Sequence, residues 1–462
     1  MKPRALAWIA AVTGGSLQGA DGWVDAVAID TRALPSQGQP LFVALKGENF
    51  DGHAHVQAAA NGGCVAALVA HPVDANITQI IVPNTERALA DLAAAAQRER
   101  STKVLAVTGS NGKTSVKTLL LSILNQLGGA YANPGNRNNE IGLPLAVLDA
   151  PEDARFAVYE MGAGKPGDIA YLTAIARPDV ALVNNIAPAH LERMGSLLGV
   201  AQTKGAIYTA LADDGVAVVN ADDAFALHFL EGLHGKRVLK FGLDTVADVS
   251  ARDVRSTPQG SQFVLTTGTG QIAITLPMPG RHNVRNALAA AAMALAAGAT
   301  LAQVQAGLQA VQPVAGRLIA HRLSTGAMLV DDSYNANPGS VAAAIDTLVS
   351  GDGEAWLVLG DMRELGADAL LLHAQAGQQA KAAGIARLFT LGPLSAHAAN
   401  AFGADAQQFD SHAALTAALG SALHAGVTVL VKGSRGSAMD KIVTALLARD
   451  AESGKENTTD AA

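Results

Sequence analysis

The chain has almost no cysteine, few aromatic residues, no excess of basic charge and no long apolar run. Its one thiol among 462 residues, Cys64, has no partner for an internal disulfide, which fits a reducing compartment. Cys64 sits in the apolar run 64–69, where a small buried filler is expected rather than a nucleophile. A formal net charge of −7 lacks the basic footprint of a nucleic-acid binder, so sites for anions must come from local loops. No stretch approaches the roughly 20 apolar residues of a membrane span. The opening M-K-P-R-A-L-A-W-I-A-A-V has the basic head and short apolar run of an export signal but no small-residue cleavage site. Thr13-Gly14-Gly15 reads instead as the end of a first helix, and a cytoplasmic protein is expected. With 4% aromatic against 49% apolar residues, the core should be Ala/Leu/Val helices packed on sheets. No solenoid-period repeat is present.

What the chain does have is a strand, a glycine loop and a helix in succession at 103–115, K-V-L-A-V-T-G-S-N-G-K-T-S. The β-branched run 104–107 breaks at Gly109, passes Gly112 and enters a helical pattern from Lys113 to about 127. That geometry aims backbone amides and the positive end of a helix at one point, a cradle for a phosphate chain formed by Gly109, Ser110, Asn111, Gly112, Lys113, Thr114 and Ser115. Lys113 is expected to bridge the outer phosphates and the Thr114 hydroxyl to ligate Mg²⁺. The loop is a shortened variant, since Val107 stands where the usual phosphate loop has its first glycine.

Length suggests about three domains, and the pattern of elements divides the chain at 1–100, 101–312 and 313–450, with a polar, disordered tail at 451–462. The first is a small α/β unit with strands at 41–45, 65–69 and 79–82 and a helix at 86–99. Its clusters Asp30-Thr31-Arg32 and Asp51-Gly52-His53 lie beside apolar runs where binding loops fall, although from spacing alone turn chemistry is the stronger reading. The second alternates strands at 104–107, 156–160, 179–184 and 216–220 with helices, which argues a mostly parallel sheet with helices on both faces and ligands at the carboxyl ends of its strands. Glu160, Asn184, Asn185 and His190 fall at those ends with the glycine loop. Asn283 and Asn286 open an alanine-rich helix reaching about 297 and share one of its faces; they can offer amides to a planar heterocycle such as adenine, or Asn283 can cap the helix. Gln312-Pro313 and Gly316-Arg317 mark a boundary, followed by a Rossmann-like unit with strands at 328–331, 356–359, 388–391 and 427–431. Two of its loops stand out, Asp331 to Pro338 and the K-G-S-R-G-S run at 432–437, which suits an anion or a plain solvated turn.

Taken together the motifs resemble those of the Mur ligases, the ATP-dependent amide-forming enzymes of peptidoglycan precursor assembly. T-G-S-N-G-K-T-S at 108–115 is similar to the T-G-[TS]-N-G-K-T-[ST] signature of that family, and H-N-V-R-N-A at 282–287 to its H-N-x-x-N-A. The runs at 30–32, 50–53, 135–142, 189–192 and 331–338 are most similar to the branch that adds D-alanyl-D-alanine; D-D-S-Y-N-A-N-P stands where the branch adding the third residue carries a D-N-P-R type motif. The resemblance implies ATP, UDP-N-acetylmuramoyl-tripeptide and D-alanyl-D-alanine as the small-molecule partners, the first domain binding the UDP-sugar peptide, the second ATP, and the third closing over both; nothing in the sequence demands more than a monomer. It implies one Mg²⁺ on Thr114 and Glu160, a second near His190, and a carbamoylated Lys204 in A-Q-T-K-G-A-I at 201–207. From the residues alone Lys204 reads as an ordinary helix lysine. By the same resemblance Asn283 and Asn286 reach adenine, Arg317 a phosphate, Asp332 the ribose and Tyr334 the neighbourhood of the nucleotide, while Asp30, Thr31, Arg32, Asn136, Asn138 and Asn139 take the UDP-muramoyl peptide. Ligases of another acid, of folylpolyglutamate or cyanophycin type, and a regulatory phosphate-loop ATPase are the rival readings; the strand 156–160 ends in glutamate rather than the aspartate of a motor.

Overall fold

The computed structural model describes every residue except 189, 258–259, 313, 352 and 460–462. Ala189 and Pro313, used above as markers, therefore lie outside the described residues. The chain builds three large sheets in sequence.

The first has the order Ser16–Gln18, Thr78–Ile81, Ala66–Val69, Pro40–Val43, Ala26–Ala28, parallel except at the Ser16–Gln18 edge. The N-terminal apolar run is a helix, Leu6–Thr13, that ends at Gly14 and buries Leu6, Ile9 and Ala10. Helix Thr85–Arg98 starts at Asn84, whose side chain accepts from Arg87 N. Its apolar residues Ala88, Leu89, Leu92, Ala93 and Ala96 recur at helical spacing, and it packs on helices Gly142–Asp149 and Asp168–Ala176 of the next unit. One hydrophobic cluster consequently runs from Leu41 and Leu68 through Leu89 to Leu143 and Tyr159, so the first two sheets share a core.

The central sheet has nine strands. Lys103–Thr108 lies between Phe156–Glu160 and Val180–Val183, with Val216–Asn220 beyond, all parallel, and their carboxyl ends form one edge. Three strands unforeseen in the β/α pattern, Val249–Thr257, Gly260–Thr267 and Gly270–Leu276, extend the far side as antiparallel hairpins. Their alternation of buried and exposed positions is that of a one-faced sheet. Helix Lys113–Asn125 buries Val116, Leu119, Leu120, Ile123 and Leu124, each contributing about 1.5–3 kcal/mol. Helix Leu301–Ala310 presses on it at Gly307, where a Cβ would lie 2.4 Å from Ile123 Cα, and Ser122 Oγ donates to Gly307 O at 2.6 Å.

The third sheet runs Ile319–Arg322, Met328–Asp332, Val427–Lys432, Glu354–Gly360, Arg387–Leu391, Ala406–Phe409, antiparallel at its first pair and parallel elsewhere, with an apolar cluster on each face. The architecture is therefore α/β throughout, with a mostly parallel central sheet and a Rossmann-like third. Helix Asp440–Thr459 runs into the stretch 451–462 expected to be a disordered tail, of which 460–462 lie outside the described residues. Among the described residues no helix is long and apolar enough to cross a membrane.

Candidate active site

The strand Lys103–Thr108 delivers the loop to the sheet edge, and the loop turns there because Gly112 has φ 77°, a left-handed conformation. A Cβ at Gly112 would sit 2.4 Å from Asn286 Oδ1 and 2.6 Å from Asn184 Nδ2. No side chain caps helix Lys113–Asn125, so its first amides point into a cavity of about 440 Å³. Neighbouring strand ends hold the loop: Ser110 N donates to Asn185 O at 2.9 Å, Asn111 N to Asn185 Oδ1 at 2.8 Å, and Asn184 Nδ2 to Asn111 O at 3.0 Å. Lys113 Nζ folds back on Gly109 O at 2.8 Å. Burial lowers its pKa against the opposing pull of Glu160.

Glu160, 3% exposed at the end of its strand, is the anionic centre. Thr114 Oγ1 donates to its Oε2 at 2.9 Å and Asn138 Nδ2 to its Oε1 at 2.9 Å. Lys117 Nζ stands 3.2 Å from Oε2 and also donates to Asn133 O and Gly135 O, both at 3.0 Å. Burial alone would raise the Glu160 pKa; Lys117 and Lys113 outweigh it and hold the carboxyl below its ordinary value. A hydroxyl and a carboxylate oxygen 2.9 Å apart beside an open helix N-terminus suit a hard divalent cation, so the Thr114–Glu160 pair fits Mg²⁺.

The second metal expected near His190 finds a different arrangement. His190, at φ 54°, pairs its Nδ1 with Glu364 Oε2 of the third sheet at 2.5 Å, and burial lowers its pKa. Lys204, on helix Leu197–Thr209, is 1% exposed, and no hydrogen bond or ion pair reaches its Nζ among the described residues. Burial, with Lys113 nearby, brings its pKa down to about 7. No cluster of three or more His, Cys, Asp or Glu side chains forms among the described residues. As a free amine Lys204 does not fit a metal; only as a carbamate does it supply anionic oxygens there.

The third sheet completes the wall. Arg317 Nη2 donates to Thr114 Oγ1 at 2.9 Å and its guanidinium lies 4.4 Å over the Tyr334 ring. Asp332 is bonded to Lys432 at 2.6 Å, so the first residue of the 432–437 loop, read as suited to an anion or as a solvated turn, is already paired with a carboxylate. Asn283 and Asn286 line the cavity but spend much of their amide capacity inside the protein: Asn286 Nδ2 donates to Asn283 Oδ1 at 3.2 Å, Asn283 Nδ2 to Pro279 O at 2.8 Å, and Asn286 Oδ1 accepts from Asn184 Nδ2 at 3.0 Å. Asn286, held by Asn283, lies against Gly112. Ser115 is buried at the start of the helix.

Two further cavities follow in line, the first sharing Lys113, Asn138 and Tyr334 with this one and the second sharing Asn136 and Asn139 with the first. One of about 390 Å³ is lined by Lys113, Asn136, Asn138, Asn139 and His190. Another of about 440 Å³ lies between the first and central sheets and brings Asp30 to Asn136 and Asn139. Thr31 and Arg32 do not line it; Arg32 is exposed and bonded to Asp30 at 2.7 Å, which holds the Asp30 carboxyl at about 2. The Asp51 cluster proves to be turn chemistry, Asp51 Oδ1 lying 2.6 Å from His53 Nδ1. Asn138 belongs with Glu160 rather than wholly with a sugar peptide. Lys117, Asn133 and Glu364 were not anticipated; for Lys117 the available signal was its place one turn after Lys113 on the same helix face.

A phosphate loop with a lysine, a hydroxyl and a buried carboxylate, enclosed by a second Rossmann-like sheet and opening on an adjoining cavity, defines an ATP-dependent ligase class of enzyme. The Mur ligase middle domain matches residues 107–294, and the Mur ligase glutamate ligase domain residues 316–435. The chain is 44% identical over 437 residues to the UDP-N-acetylmuramoyl-tripeptide--D-alanyl-D-alanine ligase of Escherichia coli (strain K12), covering 94% of this chain and 96% of that one. MurF from Acinetobacter baumannii superposes with a TM-score of 0.92 at 32% identity over 97% of this chain and 99% of that chain. The MurF ligase of Thermotoga maritima in complex with ADP does so at 0.82 and 26% identity, covering 92% and 97%. The chain belongs to the Mur ligase family.

Proposed function

We propose that the protein joins D-alanyl-D-alanine to UDP-N-acetylmuramoyl-tripeptide at the expense of ATP, as an amide ligase of peptidoglycan precursor synthesis in the cytoplasm. The observation that carries the reading is that Lys113 lines both the phosphate-loop cavity and its neighbour, so a terminal phosphate and a peptide carboxylate meet at one ammonium. The E. coli relative named for this reaction supports the choice of substrates, and the ADP complex of the T. maritima relative supports ATP as the nucleotide.

A carboxylate is a poor electrophile. Its oxygen attacks the γ-phosphorus, ADP leaves, and the resulting acyl phosphate gives the amine a carbonyl with a competent leaving group. The amine nitrogen then bonds to that carbon, phosphate departs with the C–O electron pair and a proton is released. Both steps gather negative charge, so cations rather than a nucleophilic side chain are needed. Lys113 and the loop amides take the transferring group; Arg317 reaches it from the linker. Thr114 and Glu160 would hold one Mg²⁺, and His190, with Lys204 if carbamoylated, would help hold a second; such ions would supply positive charge to the phosphate oxygens. Burial of Lys204 favours its neutral amine, the form that combines with CO₂. Residues 1–100 receive the UDP-sugar peptide, 101–312 the nucleotide and 313–450 close over both. The protein acts as a monomer, without nucleic acid.

The test is one mass measurement on the product from ATP, the tripeptide nucleotide and D-alanyl-D-alanine. The expected product weighs the sum of the two joined substrates less one water; its absence sinks the reading.

A further inference from the structure

Among the described residues three line both the nucleotide cavity and its neighbour: Lys113, Asn138 and Tyr334. The first two belong to the central sheet. Tyr334 is carried on the loop after Met328–Asp332, and among the described residues it is the only one beyond Arg193 that lines the second cavity. The third sheet therefore brings a single side chain to that seam, an aromatic ring.

The ring is clamped where it stands. Tyr334 N donates to Gly316 O at 3.2 Å, and a Cβ on Gly316 would lie 3.1 Å from Tyr334 Cβ, so linker and loop are in close contact. The Arg317 guanidinium covers the ring face at 4.4 Å and with its far nitrogen bonds Thr114 Oγ1 at 2.9 Å. Ring, linker arginine and phosphate-loop threonine thus form one continuous contact from the third sheet to the central one. No hydrogen bond reaches the Tyr334 hydroxyl among the described residues. The structure has built in the ring and left the hydroxyl free.

We infer that Tyr334 is the water gate of the transfer step: while the third sheet is closed its ring covers the seam where the two cavities join at Lys113, leaving them connected, so that the acyl phosphate meets the amine and not solvent. This rests on the ligase reading above. An acyl phosphate has two fates. Attack by the amine forms the C–N bond and expels phosphate. Attack by water forms a C–O bond, expels the same phosphate and returns the starting carboxylate with one ATP lost. An apolar ring at the junction excludes the second nucleophile without contributing to the first reaction.

The experiment counts ADP released per amide formed, with both substrates present, in the full-length enzyme. The unaltered enzyme is expected to release about one. Tyr334→Ala is expected to release at least threefold more per amide, and in ¹⁸O-water to place solvent oxygen in the recovered tripeptide carboxylate. Tyr334→Phe keeps the ring and so keeps the ratio near one. A merely structural role lowers the rates together and leaves the ratio alone, so tight coupling in Tyr334→Ala overturns the gate, as does a leak in Tyr334→Phe equal to that of Tyr334→Ala. Should Tyr334→Ala fail to fold, Tyr334→Leu, with smaller apolar bulk, must leak measurably or the gate is overturned. An unaltered enzyme that forms no amide at all refutes the ligase reading itself and not the gate alone.

Discussion

Asn337 donates its side-chain amide to Asn111 Oδ1 across 2.7 Å, tying the third sheet to the phosphate loop. The same side chain caps helix Pro338–Val349, its Oδ1 accepting from Ser340 N at 2.9 Å. Serine caps as well as asparagine but is too short to reach the loop. Asn337→Ser is therefore expected to keep the melting temperature and raise KM for ATP about 2- to 10-fold, the worth of one hydrogen bond. Steady-state kinetics and a thermal melt decide it; an unchanged KM means the contact does not serve closure.

Lys113→Ala removes the ammonium common to both cavities. Amide formation should fall by at least about 100-fold while the fold survives, since among the described residues the lysine bonds only loop carbonyls. Product yield with a circular dichroism spectrum checks this.

Lys117→Met strands Glu160, the partner of a buried ion pair, and should cost about 3–5 kcal/mol. Adding Glu160→Gln should return part of that stability. Urea denaturation of the two single variants and the double variant measures the coupling; additive losses contradict the pairing.

Lys204→Ala is expected to lose amide formation and to regain part of it when short carboxylic acids, standing in for the carbamate, are added. Product yield across a formate or acetate titration reads this. Full activity of the variant without any additive removes the carbamate from the site.

His373, fully buried at 0% exposure, accepts from Met362 N at Nε2 (2.9 Å) and donates from Nδ1 to Ala369 O (2.6 Å), so it is held neutral. Burial lowers its pKa from the ordinary value. A group that is harder to protonate folded than unfolded contributes stability above the unfolded value, about 6.5, and loses it as pH falls from there toward the folded one. Unfolding midpoints should thus drop more steeply below pH 6.5 for the unaltered protein than for His373→Gln. Parallel curves would assign the acid sensitivity elsewhere.

The nucleotide half of the site was legible because phosphate binding needs local chain geometry. Strand, glycines, lysine and threonine sit within thirteen residues, and the sheet edge collected Glu160 and Asn184 with them as the β/α rhythm implied. Lys117 showed itself only by its place one turn after Lys113: a lysine on an amphipathic helix otherwise reads as solvent-facing, and its partners Asn133, Gly135 and Glu160 come from loops and strands fixed only by tertiary packing. The Asn184–Asn286–Asn283 chain has the same character, joining side chains about a hundred positions apart. The hairpins at 249–276 carried their period-two alternation openly, but a run of β/α units on either side disguised them.

The close seat of Gly307 on Ile123 has a consequence for the order of events. With backbone nearly touching backbone, helix Lys113–Asn125 has no room to slide, and the phosphate cradle at its start stays put whatever the third sheet does. A third sheet that swung away would leave this berth at the ends of the central strands already formed.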